Sequence, residues 1–93
     1  MSDLTFRLLQ GTQQRVPRGL LVLYSVLVVD GRLAVQIGMG GPCIRSGRVT
    51  VSVGSAASFD GVGRVEVLDA RVARPERRAQ ALLRFVPAEQ EVK

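Results

Sequence analysis

Apolar and polar residues alternate along much of this chain, which is the pattern of a β-strand with one buried face. In the first segment, Leu4, Phe6 and Leu8 fall on one side, and Thr5 and Arg7 fall on the other. The pattern predicts a half-buried first strand.

The segment from Leu20 to Val29 is apolar on both faces. Such a strand is either central in a closed or two-layer fold or covered by a second molecule. An Asp-Gly pair follows at residues 30–31, and alternation resumes over residues 32–37. Because a type I′ turn needs positive φ at both central residues, Asp-Gly between two strand patterns predicts a long hairpin.

Two more strands are predicted further along the chain. Residues 48–53 alternate with valine on the apolar side. In the next segment the inward set begins as Val65 and Val67 but continues as Leu68, Ala70 and Val72. A β-bulge at Val67-Leu68 absorbs this slip of one residue. It keeps four charged residues on the outer face: Arg64, Glu66, Asp69 and Arg71. Residues 11–19 and 54–63 are interpreted as connecting loops, because they are polar or small and contain glycine.

The last segment, residues 76–86, fits two structures. Ala79, Leu82, Leu83 and Val86 have helical spacing, whereas Ala79, Ala81, Leu83 and Phe85 have strand spacing with Pro75-Glu76 as a turn. A strand is preferred because the preceding strands indicate an all-β meander that completes itself. The predicted fold is a single all-β domain over residues 1–93, a small barrel or sandwich of five to six mostly antiparallel strands, with a helix at 76–86 as the alternative.

Composition supports one folded unit. The chain has 93 residues, of which 46% are hydrophobic and 23% charged, as in globular proteins. The longest apolar run has ten residues, against the ~20 of a membrane helix. The amino terminus lacks the basic-then-apolar order of a secretory signal. We therefore expect no membrane contact and a location in the cytoplasm or in a virion.

The sequence contains little that predicts catalysis. The glycine-rich stretch GMGGPCIRSG, residues 38–47, lacks the Gly-Lys-Ser/Thr end of a phosphate-binding loop and leads into another strand, so it is interpreted as an inter-strand loop. Cys43 has no histidine to activate it, because the chain contains none, and is interpreted as a small hydrophobic residue. One cysteine without histidine also predicts no metal site.

Paired carboxylates are the remaining catalytic option. Glu66 and Asp69 share one outer face, but Arg64 and Arg71 flank them, which is typical of a surface charge ladder. The sequence therefore predicts a protein that is not an enzyme and that has no catalytic residue, cofactor or metal.

The formal net charge of +5 suggests a nucleic-acid-binding alternative. Four arginines occupy outward positions on successive predicted strands and could line one sheet face: Arg32, Arg48, Arg64 and Arg71. A small basic barrel that binds single strands adds aromatic residues on which bases stack, and here only Phe59 is predicted to be exposed.

The preferred hypothesis is a non-enzymatic structural or adaptor module that docks into a larger protein assembly, as a homo-oligomer or a small virion-type component. It rests on the strand with two apolar faces, which a chain this short has difficulty covering by itself. The predicted partner-binding residues are Leu23, Leu27, Met39 and Phe59.

Overall fold

The computed structural model describes residues 3–40, 47–59 and 61–88. Over these residues the chain forms two antiparallel sheets of four strands each and no helix. The eight strands are β1 (Leu4–Leu9), β2 (Gln13–Val16), β3 (Gly19–Val29), β4 (Arg32–Gly40), β5 (Arg48–Ser52), β6 (Ala56–Phe59), β7 (Gly63–Arg71) and β8 (Gln80–Pro87).

The strand order is β1-β8-β7-β6 in one sheet and β2-β3-β4-β5 in the other. Consecutive strands pair with each other except at two crossings, β1 to β2 and β5 to β6, where the chain passes between the sheets. The last strand returns to pair with the first. The prediction of an all-β fold is confirmed, and of its two forms the sandwich is the one observed; the sheet is not closed into a barrel.

The prediction of five to six strands was too low, because β2 and β6 lie in the segments interpreted as loops. Each has four residues at the edge of a sheet. An edge strand pairs with only one neighbouring strand, and four residues are too few to show a clear apolar–polar alternation in the sequence. In β2, Val16 alone turns fully into the core.

The predicted hairpin and the predicted bulge are both confirmed. Asp30 and Gly31 have φ values of 52° and 78°, as a type I′ turn requires. In β7 the pairing register shifts between Val67 and Asp69. The extra residue, Leu68, is 42% exposed, so its predicted inward orientation was wrong. It was wrong because the bulge leaves this residue unpaired and turns it outward.

The last segment is the strand β8, and its alternative as a helix was wrong. Ala79, Ala81, Leu83 and Phe85 are all buried, as strand spacing predicts. The residues of the preceding turn, 74–77, exchange two backbone hydrogen bonds of 2.9 and 3.1 Å around Pro75-Glu76. A helix at this position would leave β1 and β7 without the strand that both pair with.

The core lies between the two inner faces and is entirely apolar. Among the described residues, no polar or charged side chain is buried. The largest buried side chains come from both sheets: Phe85, Leu21, Leu23, Ile37, Met39 and Leu83.

At the β5 to β6 crossing the chain changes its partner strand between two adjacent residues. The Val53 N–H donates to the Leu33 carbonyl (3.0 Å), whereas the Gly54 N–H donates to the Val67 carbonyl in the other sheet (2.8 Å). Gly54 makes this change with a φ of 92°. L-residues with a side chain rarely adopt that conformation.

We predict that Gly54→Ala lowers the free energy of unfolding by about 1–2 kcal/mol through backbone strain alone, since a Cβ there meets no atom within 4 Å. Urea denaturation checks this. Gly40→Ala is the matched control, because its Cβ would also meet no atom and its φ is outside the left-handed region. Equal losses in the two variants would contradict the explanation.

Candidate functional site

The strand β3 has two apolar faces, and the sandwich uses one of them. Leu21 and Leu23 point into the core and are fully buried. The residues that point the other way are on the outward surface of the β2-β3-β4-β5 sheet, which we call the open face. Its apolar residues on β3 are Leu20, Val22, Leu27 and Val29, which we call the β3 strip.

No described element packs over the open face, because the described strands form only two layers. Leu20, Val22 and Leu27 are half-buried by their neighbours in the sheet, and Val29 is 40% exposed. The β3 strip is therefore apolar surface in contact with solvent.

The β3–β4 hairpin also extends past the sheet that covers it. On its inner side Leu23 is fully buried, Val26 is half-buried and Val28 is 61% exposed. Because Val29, on the outer side, is exposed as well, the tip of this hairpin presents valine to solvent on both faces.

A bulge at Tyr24 places the chain's only tyrosine on the open face. Its ring lies against the backbone at Gly38, where a Cβ would come within 2.7 Å of a ring carbon. The Arg48 guanidinium stacks over the ring, with its central carbon 4.1 Å from the ring centroid. The absence of a side chain at Gly38 thus gives the ring its place on the sheet, and Arg48 covers it.

The predicted partner-binding residues are not on one surface. Leu23 and Met39 are 0% and 1% exposed, so both belong to the core and not to a docking surface. Phe59 is directed inward and packs against the core. Only Leu27 lies on the open face, because the Tyr24 bulge reverses which side of β3 the following residues occupy.

The four arginines predicted to form one stripe lie on two different sheets. Arg32 and Arg48 are on the open face, whereas Arg64 and Arg71 are on β7 in the other sheet. Arg15 of β2 joins the open face directly opposite Leu20. Sequence reasoning missed Arg15 as a site residue because β2 was interpreted as a connector.

On the outer surface of the other sheet, part of the charge is paired. The carboxylate of Glu66 accepts from Arg64 (3.1 Å) and from Arg84 (2.6 Å), and Arg84 also lies 3.9 Å from Asp3. Desolvation of the carboxylate by itself raises the pKa of Glu66. The hydrogen bonds and charges of Arg84 and Arg64 outweigh this, so that its pKa lies below the usual value.

Among the described residues, the arginines of the open face have no such pairing. Within residues 3–40, 47–59 and 61–88, none of Arg15, Arg32 and Arg48 forms an ion pair with a carboxylate. The outward strand positions of this sheet hold no acidic residue, and Asp30 lies beside them in the hairpin turn. The open face is therefore an apolar strip with three arginines around it.

The other candidate sites provide little chemistry. A shallow groove beside the β5 to β6 crossing is lined by Ser55, Glu66 and Leu68 among others, and Glu66 is already bound by two arginines. In the part of the chain that the structure describes, no three His, Cys, Asp or Glu side chains are grouped as metal ligands. Cys43 and the middle of the glycine-rich stretch, residues 41–46, lie outside the described residues.

Comparison with protein families, with curated proteins and with solved structures finds no match for this chain. Among the described residues there is no helix with the length and hydropathy to cross a membrane. The open face is therefore the candidate functional site.

Gly38→Ala is expected to push Tyr24 off the sheet, since the new methyl group overlaps the ring and approaches the Gly47 carbonyl oxygen to 3.0 Å. We expect a stability loss of about 1–3 kcal/mol and stronger quenching of tyrosine fluorescence by acrylamide. The signal comes from Tyr24 alone, because the chain has one Tyr and no Trp. Gly40→Ala should leave quenching unchanged; unchanged quenching in Gly38→Ala as well would disprove the packing argument.

The lowered pKa of Glu66 makes stability depend on pH. A carboxyl whose pKa is lower in the folded state stabilises the fold above its unfolded pKa, and this contribution is lost as the pH falls through the folded value. Stability should therefore decrease below about pH 4.5, and Glu66→Gln should reduce the decrease. Urea titrations at neutral pH and at acidic pH measure it, with Glu76→Gln in the exposed 74–77 turn as the charge-matched control. An identical pH profile for wild type and Glu66→Gln would contradict the assignment.

Proposed function

We propose that this protein is a non-enzymatic interaction module that docks into a larger protein assembly through the open face. The observation that carries the proposal is the β3 strip, apolar on a strand whose other face already supplies the core. A solvent-facing strand of an antiparallel sheet normally alternates apolar and polar residues, and β3 does not. Apolar surface on the solvent side of a sheet, here interrupted by Ser25, is typical of an interaction site.

The open face, together with the hairpin tip, approaches the size of a protein interface. Strands lie about 4.8 Å apart and rise about 3.3 Å per residue, so four strands with up to 11 residues give a face of several hundred Å². Specific interfaces bury about 800 Å² on each partner, and the exposed hairpin tip adds to the face. Covering the strip stabilises a complex by about 25 cal/mol per Å² of apolar surface before the costs of association.

The interpretation as a non-enzyme rests on the side chains present. The chain contains no histidine and one cysteine, and Glu66, the carboxylate nearest the groove, is bound by two arginines. Although desolvation by itself raises it, the two arginines hold the pKa of Glu66 below its usual value, which makes this carboxylate a weak general base.

Single-stranded nucleic acid is the alternative ligand, and the aromatic residues weigh against it. Binding of single strands relies on rings on which bases stack. The chain has three phenylalanines and one tyrosine. Phe6, Phe59 and Phe85 pack in or against the core, and Tyr24 already carries the Arg48 guanidinium. The split of the predicted arginine stripe over two sheets weighs against it as well.

We predict that Leu27→Thr/Val29→Thr loses the protein's partner while keeping its fold, because threonine retains β-propensity and removes apolar surface. Tagged wild type and variant are purified from the native host after nuclease treatment. Bound proteins are compared by mass spectrometry, and the solution mass is measured by light scattering. At least one protein, or a defined self-association, should be present with wild type and strongly reduced with the variant.

The control is Leu9→Thr/Leu68→Thr, which removes two leucines that are each 42% exposed on the other sheet. It should retain the partner. Equal recovery with all three proteins would rule out the open face as the docking surface. Recovery of nucleic acid that depends on Arg32 and Arg48, without any protein partner, would favour the alternative.

A further inference from the structure

The arginines of the open face are placed along the full length of the β3 strip. Arg15 pairs with Leu20 at one end, and Arg32 pairs with Val29 at the other. Arg48 pairs with Gly38, which in turn pairs with Val22, so it lies in the same row as Val22 at the far edge of the sheet. Any surface that covers the strip therefore also covers or approaches three guanidinium groups.

The charge of these groups restricts what can cover them. Removing a guanidinium from water has a cost in desolvation free energy, and without an anion nothing offsets that cost. Within the described residues the face supplies no carboxylate for Arg15, Arg32 or Arg48, in contrast to the other sheet, where Glu66 lies between two arginines. A neutral apolar partner would bury the strip at this cost, whereas a partner that supplies carboxylates would offset it.

A second copy of the same open face does not meet this requirement. Two such faces packed against each other would place six arginines in one interface, and the outward strand positions of both copies supply no carboxylate. Like charges across an interface cost several kcal/mol. Nucleic acid would supply anions, but four aliphatic side chains and a ring already covered by Arg48 offer its bases no stacking surface.

We propose that the open face binds an acidic protein segment, with apolar side chains along the β3 strip and carboxylates directed to Arg15, Arg32 and Arg48. This inference rests on the proposed function and specifies its partner by charge. Carboxylates match the planar guanidinium fork in bidentate geometry, and complementary charge favours such a partner over neutral and basic competitors.

The test begins with a random dodecapeptide phage library. The library is panned on immobilised wild-type protein after depletion on Leu27→Thr/Val29→Thr, so that the remaining peptides depend on the open face. The enriched peptides should carry a net negative charge and interleaved apolar residues. One enriched peptide is then synthesised with a fluorescent label, together with a version in which Glu and Asp are replaced by Gln and Asn.

Fluorescence polarisation measures the affinity of both peptides. The amide version should bind at least about tenfold more weakly, and the difference should shrink as salt increases. Arg15→Gln/Arg32→Gln/Arg48→Gln should weaken the acidic peptide to the same degree. Arg7→Gln/Arg71→Gln/Arg74→Gln removes the same charge from the other side of the sandwich and should bind like wild type.

Each result has a separate meaning. Enrichment of neutral or basic peptides, or equal affinity of the acid and amide peptides, overturns the acidic partner while docking at the open face stands. Oligo(dT) that binds more tightly than the acidic peptide, and loses affinity in the Arg15/Arg32/Arg48 variant, overturns it in favour of nucleic acid. No enrichment at all also overturns it, and the proposed function is then judged by the comparison of partners from the native host alone.

Discussion

The pairing of β8 with both β1 and β7 is the interaction on which the rest of the structure depends. It brings the first and the last described strand into one sheet, from Leu4 beside Phe85 to Leu9 beside Gln80. Without it, β1 has no partner strand and β7 pairs with β6 alone, so this layer of the core is reduced to two paired strands. Such contacts join residues far apart in the chain. The entropy of loop closure is lost before these contacts stabilise the fold, so folding is expected to be slow for the size of the protein.

A two-layer fold explains why β3 is unusual. Each sheet can bury only one face against the other, so a strand of a two-layer sandwich needs one apolar side. β3 carries two, and the Tyr24 bulge places Leu27 on the second side together with Val29 of the hairpin tip. The core does not require the second apolar side of β3. The three arginines beside it have no carboxylate on the described part of their sheet. These two features are the basis for the proposed docking of an acidic partner.

Sequence reasoning succeeded where the determining signal is local. The Asp30-Gly31 turn and the bulge after Val67 each follow from the residues in their own segment. The strand β8 does not, because its segment also has helical spacing; it was predicted from the strands that precede it. Sequence reasoning failed where the answer depends on distant pairing. β2 and β6 exist because β3 and β7 hold them, Arg48 and Arg64 lie in different sheets because of the crossing at Gly54, and Leu23 and Leu27 face opposite ways because of one extra residue at Tyr24. A single unpaired residue changes the face of every residue after it.

The position of Leu4 beside Phe85 has a consequence for how the chain could be connected. Both residues lie at the end of the sandwich where Arg18 of the β2–β3 turn donates to the Gly61 carbonyl, opposite the tip of the β3–β4 hairpin. Opening the chain at a different turn would therefore leave the neighbours of every strand unchanged. A circular permutant opened at Pro75-Glu76 and joined at this corner would contain all strand pairs of both sheets, with the open face and its hairpin tip at a distance from the new junction.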